Sequence, residues 1–196
     1  MSRISAVIVL AASLIAAPSA AGKTTVRHVW PMTAAGELKP AWRVSHTYHG
    51  SDCWTTGVSP GAYRCMTAGS RIFDPCFAAA PAGGSERVFC PLAPWRRTVA
   101  DLRISGYPDV TSDDSYHGIY QGLTVADGRR CQFMQGATDV VGGKRVNYAC
   151  PRNRFLIGNP SRRTRNWRIQ AVKRSGDAWI KTHKLKVRIA WRYRRP

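Results

Sequence analysis

Glutamate is almost absent from this chain of 196 residues. Glu37 and Glu86 are the only two, and both lie in segments rich in Gly, Pro and Ala. A paired-carboxylate glycosidase would therefore need aspartates such as Asp74 and Asp127, and nothing in the sequence brings those two together. Other catalytic signatures are missing too. There is no G-x-S-x-G, which removes the strained serine elbow between strand and helix. The pairs Gly83-Gly84 and Gly142-Gly143 lack the spacing of a phosphate-cradling loop and read as turns. No C-x-x-C occurs, so the cysteines do not have zinc-knuckle spacing. Beyond residue 21 no apolar run approaches the ~20 residues of a membrane helix, and no segment holds a helical apolar period.

Acids of either kind are outnumbered, 11 against 30 Lys and Arg, for a net charge of +19. The excess is uneven. Residues 22–100 hold nine bases and four acids, and residues 101–150 hold five and six. Residues 151–196 hold fifteen bases and one acid, Asp177, for +14. A charge this lopsided makes a strong local field that attracts polyanions without specifying which.

Residues 1–21 have the pattern of a secretory signal peptide. Arg3 supplies the positive start, residues 4–17 are apolar, and Pro18-Ser19-Ala20-Ala21 offers small residues for cleavage before Gly22. The expectation is a secreted, extracellular protein whose thiols oxidise. Its six cysteines, Cys53, Cys65, Cys76, Cys90, Cys131 and Cys150, then form three disulfides rather than a metal site. Fifteen pairings are open at this point.

Residues 22–50 read as a weakly ordered segment, interrupted by Pro31, Gly36 and Pro40, with Trp30 and Trp42 as anchors. Residues 51–196 read as a disulfide-rich β domain. The polar link 108–115, with Asp109, Asp113 and Asp114, divides it into subdomains 51–107 and 116–196. Short strands are predicted at 63–67, 71–73, 87–90, 98–105, 129–134 and 145–150. If the last two pair antiparallel with Cys131 opposite Cys150, Phe133 falls opposite Tyr148. The tail is the clearest signal. Leu185, Val187, Ile189, Trp191 and Tyr193 alternate with residues that are mostly Lys and Arg, as a half-buried strand requires. The fold class is mainly β: antiparallel hairpins or a small sandwich-like domain, with little helix beyond the leader.

Cys53-Trp54, Tyr63-Arg64-Cys65-Met66, Ile72-Phe73-Asp74-Pro75-Cys76-Phe77 and Val88-Phe89-Cys90-Pro91 together resemble a family of exported actinobacterial proteins of unknown function. Residues 128–133, 136–138, 145–150 and the closing Ala190-Trp191 extend the resemblance. It implies an extracellular, cysteine-paired unit and supports pairing in sequence order: Cys53 with Cys65, Cys76 with Cys90, Cys131 with Cys150. It implies no activity or catalytic residue. The very basic C-terminal part departs from it.

Among candidate sites, His46 and His49 form an H-x-x-H near Asp52. On a strand the two point to opposite faces and no glutamate stands between them, so they read as surface residues. Asp109, Asp113 and Asp114 do not have calcium-loop spacing and read as a solvated linker. Trp167 and Trp191 are assigned to the core, while Trp54, Trp95 and Trp179 are candidates for a ligand platform. No cofactor or metal is expected. The candidate binding residues are the cluster Arg162, Arg163 and Arg165 with the ladder Lys184, Lys186, Arg188, Arg192 and Arg194. They suit anionic cell-envelope polymers, an anionic lipid surface or nucleic acid. The alternative is a small extracellular enzyme or enzyme inhibitor acting on wall or host components, which would require titratable side chains gathered in one pocket.

Overall fold

A computed structural model of the chain describes residues 22–56, 58–59, 61–79, 86–106 and 119–196. The apolar leader at 1–21, the Gly83-Gly84 turn and Asp109, Asp113 and Asp114 lie outside the described residues. All regular structure among the described residues is strand. β1 (Thr25–Val29) is followed by β2 (Arg43–Thr56), β3 (Tyr63–Met66), β4 (Ile72–Ala78), β5 (Arg87–Pro91) and β6 (Thr98–Ile104). β2 to β6 pair antiparallel in sequence order, and a parallel β2–β6 pairing closes them into a five-stranded barrel.

A second barrel follows from β7 (Gly122–Val125), β8 (Arg130–Phe133), β10 (Lys144–Cys150), β11 (Arg154–Ser161), β12 (Arg168–Ser175) and β13 (Ala178–Tyr193). The pairing of β13 with β7 closes the ring. The short β9 (Val140–Val141) flanks β10 across the Gly142-Gly143 turn, whose φ values of 55° and 71° are open to glycine at little cost. The expected mainly β, disulfide-stapled chain is what the fold shows, and its sheets close on themselves. Closure removes most free strand edges.

The disulfides are Cys53–Cys65, Cys76–Cys90 and Cys131–Cys150. Each staples two neighbouring strands, across β2–β3, β4–β5 and β8–β10. In the last pair Tyr148 stands opposite Phe133, with ring centroids 5.7 Å apart, as the strand register required. Bridges closing loops of this length stabilise by roughly 2–4 kcal/mol each. Cys65, Cys76 and Cys90 are part of the first barrel's core with Phe73, Val88 and Leu102. The second barrel is filled by Leu123, Val125, Tyr148, Leu156, Ile169 and Val187. A third cluster lies between the barrels, where Tyr193 of β13 packs on Phe77, Phe89 and Val99.

Two expectations need correction. Residues 22–50, read as weakly ordered, contain β1 and the first part of β2. Neither has an apolar alternation of its own, because most of their side chains are exposed. Their order comes from distant partners: β1 lies parallel to β13, from Thr25 opposite Ile189 to Val29 opposite Tyr193, and β2 lies parallel to β6. The second correction concerns β13. Against β7, Val187 is opposite Val125 but Ile189 is opposite Thr124, so one extra residue is inserted at Arg188. This bulge reverses the alternation. Leu185 and Val187 point into the barrel before it; Ala190, fully buried in the same core, points inward after it. Trp191 and Tyr193 therefore face out of the second barrel and onto the first, not into one continuous sheet core.

Candidate functional site

Arg162, Arg163 and Arg165 are exposed in the loop between β11 and β12. That loop is fastened to the start of β1. The Thr24 N–H donates to the Arg165 carbonyl (3.0 Å), the Thr24 hydroxyl donates to the Val187 carbonyl (2.7 Å), and the Trp167 N–H donates to that hydroxyl (2.9 Å). Lys184 and Lys186 stand on the outer face of β13, and Arg188 is exposed at the bulge. The ladder does not run straight. Arg192, beyond the bulge, is turned to the other face and stands opposite His28, and Arg194 continues past the strand end, its N–H bonded to the Val29 carbonyl at 3.1 Å.

Pairing adds cations that the sequence ladder did not include. Arg168 stands directly opposite Lys186, and Arg154 opposite Lys173. Like charges at directly opposed positions destabilise a sheet. Among the described residues the ion pairs lie elsewhere: Arg64 with Asp74, Arg87 and Arg103 with Asp101, Arg129 with Asp127, and Arg174 with Asp177. None engages the cations of the candidate ladder or of the loop cluster. Among the described residues, Arg168, Lys184, Lys186 and Arg188 thus form a positive patch on β12 and β13 without an ion-pair partner.

A second feature lies at the junction of the barrels. A cleft of about 440 Å³ is lined by Trp30, Trp42, Trp95 and Trp191 together with Arg27, Lys39 and Arg97. Its walls come from β1, the segment leading into β2, the β5–β6 connection and the end of β13. The Arg27 guanidinium lies over the Trp191 ring, 5.3 Å from its centroid, and Arg130 lies over Trp95 at 6.0 Å. Trp95 meets Trp191 edge-on, with centroids 6.4 Å apart and planes at 68°. Trp191 is anchored from behind, its indole N–H donating to the Thr124 hydroxyl at 3.1 Å. Among the described residues no Asp or Glu lines this cleft.

Of the tryptophans singled out from sequence, Trp95 is in this cleft. Trp54 is exposed on β2. Trp179 is packed edge-on against Phe155 at 5.1 Å and donates to Asp139 at 3.1 Å, so its ring serves packing. Trp191, assigned to the core, is buried but forms a cleft wall. Arg27, Lys39 and Arg97 were missed because three separate segments supply them. The available signal was the tryptophans beside isolated bases, Arg27 before Trp30 and Trp95 before Arg96-Arg97.

The remaining titratable residues are dispersed. No group of three or more His, Cys, Asp or Glu able to hold a metal occurs among the described residues. His46 stacks near Tyr48, ring centroids 6.2 Å apart, on a largely exposed stretch of β2. Asp74 is fully buried at the barrel junction, accepting from the Val58 N–H (2.7 Å) and the Arg64 guanidinium (2.8 Å). Burial pushes its carboxyl above the usual range, outweighing the downward pull of those two donors. Asp101 is held bidentately by Arg87 at 2.8 Å on each oxygen. Asp127, by contrast, is kept below the usual range by its hydrogen bond from Arg129. No helix among the described residues is long and apolar enough to cross a membrane. Comparison of the chain with family models, with curated proteins and with solved structures finds no match.

Proposed function

We propose that this protein is an exported, non-enzymatic binding module that holds anionic polymers on the basic outer face of its second barrel. The observation that carries the reading is the opposition of like charges across β12 and β13, Arg168 to Lys186, neither of which has an ion-pair partner among the described residues. A solubilising edge needs one or two lysines. A sheet that sets cations against each other accepts a standing repulsion, which a bound polyanion relieves. Arg162, Arg163 and Arg165 continue the patch at the end of β12, where guanidinium forks suit phosphate or carboxylate. Export accords with the leader pattern at 1–21 and with three disulfides, which persist in oxidising compartments. A binding role without catalysis is supported by the buried acids Asp74 and Asp101, each committed to an arginine.

The test is salt-dependent binding to an oligothymidylate used as a generic polyanion, compared with dextran sulfate. Affinity for the oligonucleotide falls linearly on a log–log plot against salt, and each cation removed lowers the slope by about 0.7. The combined variant Lys184→Gln, Lys186→Gln, Arg188→Gln therefore loses about 2 from the slope with no fall in melting temperature, because all three side chains reach solvent and the repulsion of Lys186 by Arg168 is removed. Wild-type protein that binds neither polyanion at low salt, or a triple variant that binds as well as wild type, overturns the reading.

A further inference from the structure

We infer that the tryptophan and cation cleft at the barrel junction is a binding site for an acidic glycan, a chain of six-membered sugar rings carrying carboxylates. This rests on the anionic-polymer reading above and gives it a ligand class. The cleft's volume of about 440 Å³ falls within the range of small-ligand sites, ~300–1,000 Å³. Its composition joins two recognition elements. Trp30 and Trp42 are half-buried, leaving part of each indole open to a ligand. Arg27, Lys39 and Arg97 supply positive charge around them, with no Asp or Glu among the described residues of the lining. A neutral apolar ligand has no use for three such cations. An inorganic anion has no use for the indoles.

Ring geometry separates a sugar from a nucleobase. Single-stranded nucleic acid is gripped by successive flat platforms on which bases stack face to face. In this cleft Arg27 lies over one face of Trp191, Arg130 lies over one face of Trp95, and the two indoles meet edge-on. No parallel slot for a base exists between them. The Arg27 guanidinium, its carbon 5.3 Å from the Trp191 centroid, instead offers an N–H edge for a bidentate grip on carboxylate. A pyranose can lay its C–H face on Trp30 or Trp42 and direct its equatorial carboxylate to that edge.

A neighbouring depression extends the site. It has a volume of about 390 Å³ and shares Val29, Trp30 and Lys39 with the first. His28, Arg194, Arg195 and Pro196 complete its wall. Two adjoining hollows, each with its own cations and a common indole, match a ligand whose ring and charge repeat along a chain.

The probe is tetragalacturonate, titrated into the full protein and followed by intrinsic tryptophan fluorescence and calorimetry. Its methyl-esterified form serves as the uncharged control, and an oligothymidylate as the nucleic-acid control. The expected result is binding of the tetramer, at least tenfold weaker binding of the ester, and at least tenfold loss for the combined variant Arg27→Gln, Lys39→Gln, Arg97→Gln. Trp42→Ala abolishes most of the fluorescence change; should that variant misfold, Trp42→Phe, which keeps an aromatic face, retains binding with an altered signal. The Lys184, Lys186 and Arg188 triple variant binds the tetramer as wild type does. No binding of tetragalacturonate, equal binding of its ester, or indifference to the three cleft cations overturns the inference. So does oligothymidylate binding that is tighter than tetramer binding and lost in the same cleft variant, which would assign the cleft to nucleic acid. Retained salt-dependent binding of long polyanions with no tetramer binding leaves the basic face standing and removes only the cleft. Tetramer binding with no effect of β13 cations on any polyanion does the reverse.

Discussion

Gly122 is the position at which one added methyl group tests the cleft's construction. It stands on β7 opposite Trp191. A Cβ built there would lie 2.5 Å from Cζ3 of Trp95, 2.9 Å from Cγ of Pro94 and 3.3 Å from Cε3 of Trp95. The first two contacts are far inside van der Waals separation, and Pro94 and Trp95 are adjacent in the chain, so the β5–β6 connection must move away as a unit. Overpacking of this kind costs about 1–3 kcal/mol. Gly→Ala recovers roughly 0.4–1 kcal/mol by restricting the unfolded chain, since Gly122 does not occupy the left-handed region. The net expectation for Gly122→Ala is a loss of about 1–2 kcal/mol, or a melting temperature lower by about 2–8 °C for a domain of this size. Displacing Trp95 also disturbs its edge-on contact with Trp191, so the near-ultraviolet circular dichroism changes. Combining the substitution with Trp95→Leu relieves the clash and gives a non-additive cycle. A Gly122→Ala protein with unchanged melting temperature and unchanged near-ultraviolet spectrum would refute the packing of Trp95 on β7.

Two further predictions concern the barrel junction. Gln121 is buried there; its amide donates to the Val58 carbonyl (3.2 Å) and Ser59 hydroxyl (2.9 Å), and its carbonyl accepts from the Tyr193 N–H (3.1 Å). Gln121→Ala strands these partners and costs about 2–3 kcal/mol by urea unfolding, with faster amide exchange at Tyr193; a cost below ~1 kcal/mol would show that the clamp carries no load. Burial raises Tyr148 and Tyr193 above the usual phenol range. An acid whose folded pKa is raised keeps its proton in the folded state while the unfolded chain loses it. Stability is therefore unaffected below the ordinary value of 10.0 and falls as pH rises past it, at up to about 1.4 kcal/mol per pH unit for each tyrosine. Phenolate absorbance in the native protein checks this, because both tyrosines should titrate only with unfolding; reversible titration near pH 10 without loss of structure would refute it.

Much of the fold was legible because it is encoded locally. Strands such as β10 and β12 announce themselves by alternation, and the Ser175–Ala178 hairpin by Gly176 with φ of 57°. The Cys131–Cys150 bridge, expected from pairing in sequence order, agrees with the antiparallel register that sets Phe133 opposite Tyr148. Charge is a property of composition, so the +14 of residues 151–196 was readable before any folding.

What the sequence could not determine were relations between residues far apart along the chain. β1 carries no apolar stripe and gains its order from β13, more than 160 residues away. The bulge at Arg188 leaves no mark on a strictly alternating tail, because it arises only when β13 must fit the register of β7; it then turns Trp191 and Tyr193 from one barrel's core onto the other barrel. The opposition of Arg168 to Lys186 and the meeting of Arg27, Lys39 and Arg97 around four tryptophans are likewise products of closure. Alternation specifies which side of a strand is wet. Only the pairing of distant strands decides what lies on the other side.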